Sequence, residues 1–478
     1  MGISFTFYRL IQSQISGCIS YITTVVMLIF HWLFRYYFAG YNVYNLQDDM
    51  IYFCKQTRGV CIMEYQKRFV DTLLTERLQS SGAVLIEGSK GCGKTETAKQ
   101  LAASVVRFDA DEQVKVKMEI DPRTVLLGDT PRLLDEWQEY PQIWNYIRRE
   151  VDERRQKGQF ILTGSATPED NIKRHSGAGR FSTIKMRPMS FFEKGWSTGE
   201  VSLAGLLAGD IPVSESVNFD LGELAEKITL GGWPGVIGAG ASEGLRFISD
   251  YMSLIAEVDL SKVSNKRRDP YKVTRLLQSL ARNISTEVSL SSLSKDTNGS
   301  DSDLNNGTVS DYLSALERLM AVDDLPAWNT HIRSSDMLRK SSKRHFADPS
   351  MAVGILGLSL DKLTNDLNYL GLLFESLAIR DLRIYADVNG GKVFHYRDSR
   401  GLEVDTIIEY ADGTWGAFEI KLGIGAADAA ASNLVKFANI IDTSKISAPS
   451  TLTVVTGNGF AHRRADGVTV VPLSTLTA

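Results

Sequence analysis

Residues 83–104 read AVLIEGSKGCGKTETAKQLAAS, and this stretch decides the fold of the chain around it. Its first four residues are apolar and predict a short buried strand. Residues 88–95 then fit the pattern G-x-x-x-x-G-K-[ST] and lead directly into a helical run. The glycines let successive backbone N–H groups turn toward phosphate oxygens, and the following helix directs the positive end of its dipole to the same place. The stretch therefore predicts a loop that binds a nucleoside triphosphate.

Two side chains at the end of this loop carry its predicted chemistry. Lys94 is expected to reach the β- and γ-phosphates, and the Thr95 hydroxyl is expected to join the ligand shell of Mg²⁺. The loop residues expected to contact the nucleotide are Gly88, Ser89, Lys90, Gly91, Cys92, Gly93, Lys94 and Thr95.

The composition of the whole chain is that of a globular protein with several domains. It has 478 residues, of which 43% are hydrophobic and 23% charged. A net charge of −4 excludes a surface that is basic everywhere, so any contact with nucleic acid must be a local patch. The four cysteines show no metal-ligand spacing, and Cys92 in the loop is expected to be a free thiol. A reducing, cytoplasmic compartment follows.

The first 62 residues precede this domain and contain an apolar run at 15–34 that is long enough to span a bilayer. More Lys and Arg residues follow the run than precede it, so an inner-membrane anchor would leave the rest of the chain cytoplasmic. A mistranslated leader is an alternative, because Met63 opens an amphipathic entry into the nucleotide-binding domain. A soluble helix is a third interpretation.

Two acids follow a short apolar strand downstream of the loop, in RLLDEWQ at 132–138. Asp135 is expected to hold Mg²⁺, and Glu136 is expected to orient and deprotonate the attacking water. The alternative is a solvated, acidic start of a helix. Between the loop and these acids, the alternating sequence VKVKMEI at 114–120 predicts a second strand.

Hydroxyl groups end the next predicted strand, QFILTGS. Because the carboxyl ends of parallel strands line the ligand crevice, Thr163 and Ser165 are expected either to sense the γ-phosphate or to cap the strand. Arg180 precedes a further predicted strand at 182–186, and Arg174 lies upstream. Either arginine would stabilise transition-state charge, here or in a neighbouring subunit, or serve the structure alone.

The motif series GSKGCGKT, LLDEWQ, ILTGSA, GAGR with RPMSFFE, and GGWPGV resembles a large prokaryotic family of AAA-type ATPases of unknown function. Members of that family carry a C-terminal domain that looks like a DExK-type nuclease fold. The resemblance covers residues 63–478. It implies ATP as the nucleotide, a five-stranded core of the AAA kind and a winged helix in the middle of the chain, but no reaction for the parts outside the ATPase.

Helical periodicity dominates the middle of the chain, and we predict a helical lid and connector over 196–270. Three further helices, two of them at 271–282 and 309–319, precede the extended segment AVDDLPAW, which favours a winged helix over 271–350. A long loop rich in Ser, Asn, Asp and Gly argues against direct reading of a DNA groove.

Basic runs flank the predicted winged helix and would contact DNA phosphates, unless they are solvated faces or interdomain contacts. They comprise Lys266, Arg267, Arg268, Arg333, Arg339, Lys340, Lys343 and Arg344. DNA, a protein partner and a second copy of the chain are thus the candidate partners.

Two strands of the C-terminal part, at 404–410 and 414–421, are predicted to form a hairpin. If a three-residue loop with Gly in the left-handed conformation joins them, the count places Asp405 opposite Glu419. Lys421 then lies on the same face.

Glu375, on a predicted amphipathic helix, joins Asp405, Glu419 and Lys421 as a candidate metal site. Carboxylates that hold Mg²⁺ or Mn²⁺, with a lysine that activates water, are what metal-dependent phosphodiester hydrolysis needs. The set resembles the DExK nuclease motif. The alternative is a cluster that only stabilises the hairpin, although like charges that face each other cost stability unless something binds between them.

Together these patterns predict an α/β protein: an ATPase coupled to a metal-binding, nuclease-like domain that acts on or is regulated by nucleic acid. The alternative is an ATP-dependent regulatory switch that binds DNA or protein and has no nuclease activity. The predicted divisions are an N-terminal extension (1–62), an AAA-type ATP-binding domain (63–195), a helical lid and connector (196–270), a winged-helix-like domain (271–350) and a DExK-nuclease-like domain (351–478).

Overall fold

The computed structural model describes residues 65–166, 176–264, 269–297, 304–328 and 341–478. The apolar run at 15–34 therefore lies outside the described residues. In the ranges that the structure does describe, none of the helices is both long and apolar enough to cross a bilayer.

A five-stranded parallel sheet, in the order β2-β3-β4-β1-β5, forms the first part of the structure. Its strands are β1 (Ala83–Glu87), β2 (Ser104–Arg107), β3 (Arg132–Asp135), β4 (Phe160–Gly164) and β5 (Phe181–Lys185). Buried apolar side chains cover both faces of this sheet, as expected of parallel strands. Three predicted strands are confirmed: the strand before the phosphate loop, the strand before the two acids and the strand that ends in the hydroxyl pair.

Four helices connect or flank these strands and supply the apolar layers on the two faces of the sheet. They are α1 (Phe69–Ser80), α2 (Lys94–Lys99), α3 (Glu112–Ile120) and α4 (Ile143–Arg154).

The strand predicted at 114–120 is wrong, because these residues belong to α3. The side chain of Asp111 accepts the backbone N–H of Gln113 and so caps a helix. Val114 and Met118, four residues apart, are buried, whereas the alternating apolar residues Val116 and Ile120 are exposed. The helix cap and the helical spacing of the buried residues therefore make this segment a helix. The second strand of the chain is instead β2, which precedes this helix.

The middle of the chain is mainly helical, as predicted. Its helices are α5 (Leu203–Ala208), α6 (Leu221–Leu230), α7 (Ala241–Leu254), α8 (Leu260–Ser264), α9 (Pro270–Arg282), α10 (Leu290–Thr297) and α11 (Asn306–Arg318). A π-helical turn, Ile255–Asp259, joins α7 to α8. After α11 the chain makes antiparallel bridges from Val322 to Phe346 and from Leu325 to Lys343.

A six-stranded mixed sheet, in the order β13-β14-β11-β10-β9-β8, forms the C-terminal part. Its strands are β8 (Lys392–Arg397), β9 (Glu403–Glu409), β10 (Trp415–Lys421), β11 (Thr451–Thr456), β13 (His462–Arg463) and β14 (Thr469–Pro472). The helices are α12 (Ser350–Leu356), α13 (Leu360–Asn365), α14 (Leu367–Val388) and α15 (Ala427–Ile440).

Two short strand pairs tie the start of the helical middle to the C-terminal part. The pairs are β6 (Val201–Ser202) with β15 (Leu476–Thr477), and β7 (Val217–Asn218) with β12 (Asn458–Gly459). Residues that follow the ATPase sheet therefore pack with the end of the chain.

The hairpin of β9 and β10 has the predicted register. The N–H of Tyr410 donates to the Thr414 carbonyl at 2.8 Å, and Gly413 takes a φ of +85°. The ladder runs from Trp415 opposite Glu409 to Phe418 opposite Thr406, so the next step brings Asp405 and Glu419 opposite each other.

Candidate functional site

The phosphate loop has the tight backbone that its glycines were expected to provide. Gly91 and Gly93 have φ values of +72° and +106°, which L side chains rarely adopt. A Cβ on Gly88 would lie 2.1 Å from the Met186 carbonyl oxygen, so the loop packs directly against the chain after β5. Cys92 is a buried free thiol at this position.

Lys94 is buried and lies back over the loop. Its Nζ donates to the carbonyl oxygens of Gly88 and Ser89 at 2.8 and 2.9 Å. The ammonium group is thus held inside the turn of the loop, where an anionic ligand would exchange these carbonyl contacts for phosphate oxygens.

A hydroxyl–carboxylate cluster lies beside the loop, with Asp135 and Thr163 buried and Thr95 half-buried. Oδ1 of Asp135 accepts hydrogen bonds from the hydroxyls of Thr95, at 2.8 Å, and Thr163, at 2.5 Å. Asp135 and Thr163 are neighbours in the register of β3 and β4, at the carboxyl ends of both strands. The fold therefore brings together three predicted site residues that are far apart in sequence.

Glu136 lies next to this cluster in a conformation that is uncommon for its residue type. Its φ is 55°, in the left-handed region. The Ser165 hydroxyl donates to its carboxylate at 2.9 Å, and the side-chain amide of Gln138 also donates to it. Ser165 and Gln138 therefore fix the direction of this carboxylate; Gln138 was not among the predicted site residues.

The loop also contacts the helical middle of the chain, which the sequence did not predict. The Ser89 hydroxyl donates to the Met320 carbonyl at 2.6 Å, and Lys90 forms an ion pair with Asp259 at 2.6 Å. The Tyr251 hydroxyl donates to the Lys90 carbonyl at 3.2 Å. Asp259 is at the end of the π-helical turn, so this irregular turn faces the loop.

The structure places Arg180 away from the phosphate loop of its own chain. Arg180 precedes β5, whose first residue is paired with Ala83 at the amino end of β1. The loop follows the other end of β1. The Arg180 guanidinium forms an ion pair with Asp152 at 2.8 Å on the surface. A role in a neighbouring subunit remains a prediction, and Arg174 lies outside the described residues.

A second group of predicted residues lines a cleft of about 450 Å³ in the C-terminal part. The structure brings Glu375 of α14, Asp405 of β9, and Glu419 and Lys421 of β10 together there. Lys421 donates to Oδ2 of Asp405 at 3.0 Å and lies 2.6 Å from Oε2 of Glu419.

Lys343 lies at the centre of this cleft, although its predicted role was a contact with DNA. Its Nζ is 2.9 Å from Glu375, 2.8 Å from Glu403 and 3.4 Å from Asp405. Two more donors complete the set, since the Ile420 N–H donates to Asp405 at 2.9 Å and Asn433 donates to Glu419 at 2.8 Å.

The charges in the cleft shift the pKa values of its members in opposite directions. Burial and the nearby Asp405 carboxylate raise the pKa of Glu375 to about 8 and that of Glu419 to about 7. Burial opposes ionisation of Asp405, but Lys343 and Lys421 outweigh it and lower its pKa to about 2. Burial likewise opposes the charge of Lys343, and its three carboxylates outweigh burial and raise its pKa.

The predicted metal site at Glu375, Asp405 and Glu419 does not fit a metal ion in this arrangement. Across the described residues, no group of three or more His, Cys, Asp or Glu side chains is placed to hold one. The physical reason is that ammonium groups already occupy the space between the carboxylates. The sequence spacing predicted the acids of the cleft but not the position of Lys343 between them.

The basic runs are only partly described. Lys343 contacts carboxylates, and Arg344 forms an ion pair with Asp324. Neither side chain is therefore a ready phosphate contact. The other predicted DNA contacts lie outside the described residues: Lys266, Arg267, Arg268, Arg333, Arg339 and Lys340.

Comparison with known families covers three parts of the chain. Residues 80–194 match the AAA domain family. Residues 221–362 and 370–476 match two domains of unknown function, DUF8612 and DUF4143. The chain therefore contains a P-loop ATPase domain of the AAA type, which binds ATP, followed by two domains without an assigned function.

Two uncharacterized mycobacterial proteins are similar to this chain, Mb2031c of Mycobacterium bovis and Rv2008c of Mycobacterium tuberculosis. Each is 25% identical over 372 residues, which are 76% of this chain and 76% of the relative. A solved structure, the Walker-type ATPase PabY2304 of Pyrococcus abyssi, is 13% identical with a TM-score of 0.38 and covers 61% of this chain and 96% of its own.

Proposed function

We propose that the chain hydrolyses ATP at its phosphate loop and uses this reaction as a switch that acts on its helical and C-terminal parts. The cluster of Thr95, Asp135 and Thr163 carries the proposal, because it joins the loop to the carboxyl ends of two parallel strands. A purely structural turn does not need a buried carboxylate beside the first hydroxyl of its helix, since burying that charge is costly.

Thr95 and Asp135 are the residues that would hold Mg²⁺. A hydroxyl and a carboxylate are oxygen ligands of the kind that this ion prefers, and the two side chains are already 2.8 Å apart. When bound, Mg²⁺ neutralises charge on the phosphate oxygens. Lys94 would bind the β- and γ-phosphates from the other side.

Glu136 would act on the attacking water. Its carboxylate, directed by Ser165 and Gln138, takes a proton from the water as the water oxygen bonds to the γ-phosphorus. The bond from that phosphorus to the bridging oxygen breaks, and the products are ADP and inorganic phosphate. The left-handed backbone of Glu136 supports this role, because such conformations cluster at active sites.

Glu136→Gln tests this function most directly. Gln keeps the size of the side chain but cannot accept the proton, so we expect turnover to fall about 10²–10⁴-fold with ATP affinity unchanged. Phosphate release and ATP binding by the full chain are the two measurements. Glu139→Gln, an exposed position a few residues away, is the matched control. Equal turnover in the two variants would exclude Glu136 from the reaction.

The contacts of Ser89 and Lys90 with Met320 and Asp259 support the switch, because they join the loop to the helical middle. A nucleotide that moves the loop would change both contacts. We also propose that domain boundaries lie near residues 195, 270 and 350. Turnover that rises with duplex DNA and loses this rise at high salt would identify nucleic acid as the partner; indifference would favour a protein.

A metal-dependent nuclease is the second candidate function, because Glu375, Asp405, Glu419 and Lys421 line one cleft. The switch without nuclease activity is favoured, because Lys343 and Lys421 already neutralise these acids. We therefore expect the full chain to leave DNA and RNA intact in Mg²⁺ or Mn²⁺. Metal-dependent cleavage that Asp405→Asn abolishes and the exposed control Asp361→Asn retains would establish the nuclease instead.

A further inference from the structure

Lys343 uses its full capacity as a hydrogen-bond donor within the C-terminal cleft. An ammonium group has three N–H bonds, and three carboxylates, from Glu375, Glu403 and Asp405, lie 2.8–3.4 Å from its Nζ. The side chain is only 2% exposed, although it lines an open cleft of about 450 Å³. Lysine is almost never buried to this degree unless it is paired.

The backbone fixes the position of Lys343. Its N–H donates to the Leu325 carbonyl at 3.0 Å, and the Leu325 N–H donates to the Lys343 carbonyl at 2.9 Å. The carboxylates that surround its Nζ come from a helix and from a strand of the C-terminal sheet. The ammonium is therefore built into the cleft by segments that are distant in sequence.

The same position is where the predicted metal ion would have to bind. A Mg²⁺ or Ca²⁺ ion needs oxygen ligands within about 2.0–2.6 Å, drawn here from Glu375 and Asp405. Nζ of Lys343 contacts both of these carboxylates. Lys421 contacts the second oxygen of Asp405, so both oxygens of this carboxylate already face a cation.

We propose that Lys343 is the resident cation of the C-terminal cleft. It takes the place of a divalent metal ion, and Mg²⁺ or Mn²⁺ reaches Glu375 and Asp405 only when this ammonium is removed. The inference deepens the proposed switch, on which it rests, by giving the cleft a residue that excludes metal. The two proposals can be tested separately, because ATP turnover is measured apart from Mn²⁺ binding at the cleft.

The first test uses the unaltered full chain. Mn²⁺ binding is measured by calorimetry after treatment with EDTA, without nucleotide, beside Asp405→Asn. Because Lys343 fills the site, we expect the same number of bound Mn²⁺ ions in both proteins. A Mn²⁺ ion that binds the unaltered chain and is lost in Asp405→Asn would overturn the proposal.

The second test removes the ammonium. We expect Lys343→Met, which keeps most of the length of the side chain but not its charge, to bind one Mn²⁺ ion more per chain than the unaltered protein does. Adding Asp405→Asn should abolish that site. Lys392→Met, an exposed lysine on β8, is the matched control. A Lys343→Met variant with unchanged circular dichroism and no added Mn²⁺ site would contradict the proposal.

Phosphate release is measured in each of these variants. If Lys343→Met keeps normal ATP turnover but binds no additional Mn²⁺ ion, only the proposal that Lys343 excludes metal is refuted. Turnover that is absent from the unaltered chain would refute the ATPase proposal and leave the Mn²⁺ comparison valid.

Discussion

Replacing Lys94 by alanine is expected to lower ATP turnover by about 10²–10³-fold, the effect of removing one group that stabilises developing charge in an active site. The Lys94 ammonium is buried and bonds only to loop carbonyls, at 2.8 and 2.9 Å, among the contacts described. It therefore needs little rearrangement to contact phosphate. ATP affinity should fall as well, because the charge acts on the bound nucleotide in the ground state.

Phosphate release at several ATP concentrations separates the two effects of Lys94→Ala. Lys99→Ala, at the far end of the same helix, is the control, because Lys99 forms only an exposed ion pair with Glu96 in the described structure. We expect its turnover to match that of the unaltered chain. If Lys94→Ala also keeps normal turnover, ATP is hydrolysed elsewhere or not at all, and the assignment of the loop fails.

The ATPase half of the site was largely predictable from local sequence. Short apolar runs end in Gly88, Asp135 and Thr163, and parallel strands bring such ends to one edge of a sheet. The strand prediction at 114–120 failed because apolar residues at every second position also include pairs four residues apart, which form one buried stripe on a short helix. The Asp111 cap and tertiary burial settled it.

The C-terminal site was only half predictable. A three-residue loop with Gly413 fixed the register of β9 and β10, so the approach of Asp405 to Glu419 followed from counting residues. Lys343 has no such signal. The position of Lys343 in the cleft depends on its bridge to Leu325 and on the packing of α14 against the sheet. Tertiary packing of this kind has no local sequence pattern.

Contacts between the loop and the middle of the chain were likewise beyond the sequence. Ser89 and Met320 are 231 positions apart, and Lys90 and Asp259 are 169 apart. Neither pair has complementary spacing or a recognisable motif. Such long-range contacts depend on how the domains dock, and no local sequence pattern predicts that docking.

The segments RPMSFFE and GGWPGV meet in a buried charge network that the sequence also did not show. Arg380 of α14 forms ion pairs with Asp348 at 2.5 Å and with Asp381 at 2.7 Å. Asp348 accepts the N–H of Gly232 at 2.9 Å, and Asp381 accepts the N–H of Phe191 at 2.8 Å. One helix thus holds the chain after the ATPase sheet and the turn after α6.

The glycine in this network has a direct physical reason. A Cβ on Gly232 would lie 2.2 Å from the Met189 carbonyl oxygen, so no other residue fits where the two segments cross. Burial raises the pKa of Asp381 to about 6, while Arg380 and the Phe191 N–H act in the other direction. The network is therefore tight and depends on its single guanidinium.

Arg380→Met is expected to destabilise the protein by about 3–5 kcal/mol, because it leaves Asp348 and Asp381 buried without their cation. Urea unfolding followed by circular dichroism and by tryptophan fluorescence is the measurement. Trp233, one of seven tryptophans in the chain, donates to Ser350 beside the network, so loss of the network should also change the fluorescence signal. Loss of the cation should lower the midpoint for both signals.

The control is Arg397→Met on β8, where the guanidinium is half exposed and its ion pair with Glu287 is long, at 3.6 Å. An exposed pair of this kind contributes about 0–1 kcal/mol, so its midpoint should barely move. Equal midpoints for Arg380→Met and Arg397→Met would mean that the two aspartates accept protons or water at little cost. A large difference would instead show that the network contributes strongly to the stability of the chain. Because α14 carries both Arg380 and Glu375 of the cleft, that result would support α14 as the link between the ATPase and the cleft that a switch requires.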